Sequence, residues 1–227
     1  MNILLLFSFS YQGRLKAPKR VMGDSAASVR KIPVKFYSSE AYVKYLTKHG
    51  KSLNSMINDV IASTQSAINN GTVKHPKSTR VEFKPIFEYD LPVGVNLDEC
   101  GVSESSFGNI LNSFYQEDPE TPTVAILNCS SDAYEETFRK LGINIPNVSH
   151  NINFNCSKRI LTFVEVELPN FMASITAALL KIAGVKDENP VKFEEIDGGD
   201  SGIRYDMKIS NSAIKEIAEA ECYRHRL

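Results

Sequence analysis

Apolar positions along the C-terminal third of the chain change period in a regular order. From Arg159 to Leu168 (RILTFVEVEL) they alternate, with Ile160, Thr162, Val164 and Val166 on one side, which predicts a strand whose outer face carries Glu165 and Glu167. Asn170 then stands where a helix cap belongs. Phe171, Ile175, Leu179 and Ile182 follow at helical spacing, and Gly184 closes the helix. Val191–Ile196 and Ile203–Ile209 flank DGGDSG, a hairpin signal. Ser210 or Asn211 opens a last helix carrying Ile214, Ile217 and Ala218. This β-α-β-β-α order predicts helices packed on one face of a mixed sheet.

The preceding stretch is more helical. Ser38 or Ser39 caps a helix to about Lys48, with Glu40 in its first turn. Leu53, Ile57, Val60, Ile61, Thr64 and Ile68 fall on one face of a second helix, from Ser52 to Asn69, and Asn70-Gly71 ends it. Extended chain follows with Val81, Phe83, Ile86 and Phe87, where Pro85 marks an edge strand or a bulge. Phe107, Ile110, Leu111 and Phe114 predict a helix from Ser103 to about Tyr115, and QEDPETP breaks it. Thr123–Leu127 (TVAIL) is a short buried strand. Ser130, Ser131 or Asp132 caps a helix after it, and Asn151–Asn155 alternates as a strand does. The fold class is α+β: a mixed β-sheet with helices packed mainly on one face. The expected parts are an arm over residues 1–37, a mainly helical lobe over 38–116 and an α+β lobe over 117–227. The last two form one unit or meet near 116–121.

Charge changes the picture at the N-terminus. The first 39 residues hold Arg14, Lys16, Lys19, Arg20, Arg30, Lys31 and Lys35 against Asp24 alone, a net +6 in a chain whose total is -1. Pro18 and Pro33 oppose a helix there, so a flexible basic arm is expected, one that seeks an anionic partner. Its apolar head, Ile3–Phe9, is not preceded by a basic residue and is shorter than most signal-peptide cores. An intracellular location, cytoplasmic or membrane-peripheral, is therefore expected.

Candidate chemistry is sparse. Cys100, Cys129, Cys156 and Cys222 include no CxxC pair, and reduced thiols are expected, whereas a secreted protein would allow two disulfides. The four histidines, His49, His75, His150 and His225, offer no local metal spacing, so no metal or cofactor is expected. Gly199-Asp200-Ser201-Gly202 resembles the nucleophile loop of chymotrypsin-like proteases over four residues, but Ile203 stands where that family has glycine. Gly23-Asp24-Ser25 resembles the first block of the GDSL hydrolases, without a late Asp-x-x-His. Gly50-Lys51-Ser52 resembles the end of a P-loop, with Tyr45 at the position of its first glycine.

The function these observations favour is non-enzymatic: a structural, assembly or adaptor protein whose basic arm contacts an anionic membrane or nucleic acid. A virus-encoded matrix, capsid-associated or movement-type protein fits that description. Two alternatives stand beside it. One is an α/β domain, enzyme or not, that binds a phosphate-containing ligand at the turn formed by Asn128, Ser130, Ser131 and Asp132, where a helix N-terminus offers free N–H groups. The other is a secreted glycoprotein with two disulfides.

Overall fold

The computed structural model describes residues 28–70, 79–98, 104–127, 147–150, 159–163, 168–186, 190–197 and 203–220. Strand β1 (Ser28–Ser38) runs between β2 (Thr79–Glu88) and β3 (Thr123–Leu127), parallel to both. Beyond β3 lie β5 (Arg159–Phe163), also parallel, and β4 (Asn147–His150), antiparallel at the far edge. The order β2-β1-β3-β5-β4 makes a mixed five-stranded sheet, and β6 (Val191–Asp197) with β7 (Ile203–Ile209) forms a separate antiparallel pair. The expected α+β architecture holds. The predicted hairpin is present too, but as its own small sheet.

β1 corrects the expected arm. Residues 28–37 are not a flexible tail but most of an interior strand. Arg30, Ile32, Val34, Phe36 and Ser38 alternate into the interior, all at or below 3 % exposure. Burying Ile32, Val34 and Phe36 is worth roughly 5–9 kcal/mol together, a share comparable to the whole stability of a domain. Pro33 is tolerated because of where it falls. Its position faces the β3 side, as does Lys35, whose N–H donates to the Pro122 carbonyl at 2.8 Å. Pairing with β3 begins only at Lys35, so no ladder bond is lost at Pro33.

Five helices complete the described structure: α1 (Glu40–Lys48), α2 (Leu53–Asn69), α3 (Glu104–Glu117), α4 (Leu168–Ile182) and α5 (Asn211–Glu219). Ser39, Ser52 and Ser210 cap α1, α2 and α5 through their hydroxyls, which decides for Ser39 over Ser38 and for Ser210 over Asn211 among the alternatives the sequence offers. The six buried positions of α2 are the six of the predicted face. α4 starts at Leu168, earlier than the Asn170 cap expected, with Pro169 in its first turn, where a missing N–H costs nothing. Gly184 ends it at φ 104°.

The connections decide which face each helix covers. Crossovers between parallel strands are right-handed almost without exception. The step from β1 to β2 runs one way along the sheet and the step from β2 to β3 runs back, so α2 and α3 belong on opposite faces. One apolar cluster accordingly joins Ile32, Val34, Phe36, Val124 and Ile126 to residues of α1, α2, α4 and α5. On the other face Tyr37 packs against Phe114 of α3, ring centroids 4.6 Å apart. Helices lie mainly on one face, with α3 the exception. The expected lobe boundary falls in the turn between α3 and β3, and strands from both sides of it share one sheet.

Candidate functional site

The strand order reverses at β1, since β2 lies on one side and β3 on the other. In open sheets with parallel strands, ligands bind beyond the carboxyl ends of the strands at such a reversal. Here that end carries Ser38, which pairs with Ile126 of β3, and then Ser39, the cap of α1. The Ser39 hydroxyl accepts from the Tyr42 N–H at 3.1 Å and donates to the Asp98 carboxylate. Asp98 is oriented in turn by its own N–H, which donates to Asn96 Oδ1 at 3.0 Å. Ser39 is thus held as a helix cap and tied to a loop. Its partner is a carboxylate rather than an imidazole.

Two hydroxyls are buried here with no partner among the described residues, Ser38 Oγ and Tyr42 Oη. Burial, followed by the nearby Tyr45, pushes the Tyr42 phenol up to about 12. Tyr37 is raised further, by burial first and then by its hydrogen bond to Glu117 Oε1 at 2.9 Å. Both phenols stay neutral at physiological pH, so each acts only as a hydrogen-bonding group. In the sequence Ser38 stands as the alternative to Ser39 for the α1 cap, and Tyr42 carries no signal.

The predicted ligand turn, Asn128, Ser130, Ser131 and Asp132, follows the last residue of β3 in sequence and lies outside the described residues. So do Arg14, Lys16, Lys19 and Arg20. The three remaining basic residues do not form one patch. Arg30 projects into the interior at 3 % exposure, where Nη2 donates to the Ile217 carbonyl at 2.8 Å and Nη1 to that of Ala220 at 3.2 Å. It holds the carboxyl end of α5, where a cation meets the negative end of the helix dipole. Lys35 lies on the opposite face of β1 and pairs with Asp118 at 3.1 Å. Lys31 is exposed on that same face. It lies level with Glu82 of β2 and, after Lys84, helps hold the Glu82 carboxyl below its ordinary value.

Asp118 is a carboxylate with several partners. Burial works to raise its pKa. Hydrogen bonds from the Thr121 hydroxyl and N–H, from Lys35 and from the Glu120 N–H outweigh that and hold it down to about 2. The turn predicted from QEDPETP is therefore a closed hydrogen-bonded loop that clamps β1 through Lys35. Among the described residues, no group of three His, Cys, Asp or Glu side chains could hold a metal ion, and no helix is long and apolar enough to cross a membrane.

Comparison with known proteins adds what the geometry does not. A spore wall protein of Encephalitozoon cuniculi is 26 % identical over 209 residues, covering 89 % of this chain and 94 % of its own. Among solved structures, a metalloproteinase from Bacteroides fragilis aligns over 86 % of this chain and 54 % of its own, with 10 % identity and a TM-score of 0.42. A chaperone–substrate complex aligns over 76 % and 27 %, with 9 % identity and a TM-score of 0.41. The chain thus spans about half and about a quarter of those two structures. The family model "MICSWaP: Spore wall protein" matches residues 31–223, from β1 past the end of α5. A spore wall lies outside the cell, so this match overturns the intracellular location expected from the short apolar head. Matched over most of its length, the chain belongs to the spore wall protein family.

Proposed function

We propose that this chain is a non-enzymatic structural component of a spore wall. The single observation that carries the proposal is the family match across residues 31–223, which takes in nearly every described element. The relative from Encephalitozoon cuniculi, aligned nearly end to end, supports it. The site geometry agrees with that reading: the Ser39 hydroxyl at the carboxyl end of β1 serves the α1 cap and leans on the Asp98 carboxylate. A virus-encoded protein gains no support from a family named for a spore wall. Immunogold labelling of sectioned spores with antibodies to the purified chain tests the proposal. Label concentrated in the wall is expected, and label confined to the cytoplasm would overturn it.

Two finer parts belong to the same proposal. Arg14, Lys16, Lys19 and Arg20 contact an anionic partner, a reading supported by their density within seven residues. A truncation to test it must begin at Ser28, because one beginning at Ser38 removes β1. Salt-sensitive binding to anionic vesicles or nucleic acid by the full chain, lost on truncation, is expected; equal binding by both would refute it. The wall location also makes two disulfides from Cys100, Cys129, Cys156 and Cys222 the expected state. Thiol counting under denaturation checks this, and four free thiols would rule it out.

A further inference from the structure

β2 is an edge strand, and an exposed edge is a template on which a second chain can add. Alternate residues of a strand turn their backbone groups to the same side, so Val81, Phe83 and Pro85 share one direction. That direction is away from β1, because side chains of α2 occupy it. Asn69 receives the Val81 N–H on Oδ1 at 3.1 Å and donates from Nδ2 to the Val81 carbonyl at 3.1 Å. Its amide makes the paired contacts that a neighbouring strand would make. Gln65 accepts the Phe83 N–H on Oε1. Pro85 has no N–H to offer.

The spacing explains how one helix does this. Four residues of helix advance about 6 Å and two residues of strand about 6.6 Å, so amides at i and i+4 meet N–H groups at i and i+2. α2 runs opposite to β2, and Asn69 meets Val81 while Gln65 meets Phe83. The next position in the series on α2 is Ile61, an apolar residue, and the next outward residue on β2 is Pro85, which lacks a donor. Polar side chains stand where donors need them, and an apolar one where none does.

We infer that Asn69 and Gln65 take the place of a sixth strand and close the β2 edge to addition by a second copy of this chain. The inference does not depend on the wall assignment. It divides the surface of the protein: contacts between copies use faces other than this edge, and opening the edge creates a new one.

Amide hydrogen exchange on the wild-type full chain is the first test. Val81 and Phe83 are expected to be protected like the amides that pair with β1; exchange at the rate of loop amides overturns the inference. The second test compares Gln65→Ala/Asn69→Ala with Gln65→Glu/Asn69→Asp, which keeps an acceptor oxygen at both places and adds charge. In the alanine pair these two amides should exchange about tenfold faster, the factor expected for losing one ordinary hydrogen bond. Sedimentation should show it forming concentration-dependent oligomers, while the acidic pair keeps the size of the wild type. An alanine pair that stays folded by far-UV circular dichroism and unchanged in size also overturns the inference. If it loses the fold, the wild-type exchange decides.

Discussion

Replacing Arg30 with methionine tests whether the interior of this protein depends on one cation. The guanidinium is 3 % exposed and donates to two carbonyls at the end of α5, those of Ile217 and Ala220. Hydrogen bonds to a charged group are worth about 1.5–3 kcal/mol each, and a cation at a helix C-terminus adds about 0.3–1 kcal/mol. Against this, the variant no longer buries a charge, and the methionine retains much of the apolar stem packing. The net expected loss is about 2–4 kcal/mol. Arg30→Lys keeps the charge but not the fork that reaches both carbonyls, so about 1–2 kcal/mol is expected. Urea unfolding followed by far-UV circular dichroism measures both, and an unchanged slope against urea would keep the comparison two-state. If Arg30→Met lies within about 0.5 kcal/mol of the wild type, the usual range of a surface change, the cation does not hold α5. Loss of polyanion binding with stability intact would instead return Arg30 to the surface role expected from sequence.

Tyr42→Phe and Ser38→Ala each remove a buried hydroxyl with no partner among the described residues, so stability should stay level or rise by about 1 kcal/mol, and a fall of that size in thermal unfolding would refute this. Thr64 and Thr176 are both fully buried with hydroxyls 3.2 Å apart; either one changed to valine should cost about 1–2 kcal/mol, and the double change less than the sum, which a double-mutant cycle reads directly. The Asp118 carboxyl titrates below its ordinary value of 3.8, so its contribution is present above about pH 4 and is lost as the pH falls through about 2. With solvent screening at this half-exposed turn, the amount is about 1 kcal/mol, and Asp118→Asn should flatten the stability profile in that window; an unaltered profile would refute the assignment.

What was legible in the sequence tracks how local each determinant is. The serine caps at 39, 52 and 210 and the six-residue face of α2 depend on neighbours within a few positions, and they stand where the pattern places them. Pro85 marked an edge strand or a bulge, and β2 is an edge strand. β1 was missed although Ile32, Val34 and Phe36 alternate, because Pro33 and the nearby lysines read as a disordered basic tail. Proline rules out a helix, but it fits a strand at a position with no neighbour on that side. The role of Arg30 was out of reach for another reason. A charge count sums residues along a segment, whereas β1 sends Arg30 to one face and Lys31 and Lys35 to the other. Membership of the spore wall protein family had no local signature at all; it came from similarity over most of the chain.

The bond between Arg30 and Ile217 joins positions 187 residues apart. A strand near the start of the described chain therefore makes one of its interior contacts only when a helix near its end has formed. During synthesis α1, α2 and β2 can meet Ile32, Val34 and Phe36 early, but the contact of Arg30 with α5 waits until almost the whole chain has emerged. Contacts of such long range fold slowly, because loop closure precedes the gain from contact. Partial chains released early leave open the part of the apolar cluster that α4 and α5 cover, and invite aggregation. The same long reach fixes an order of events: the first strand is locked in place only after the last helix has been made.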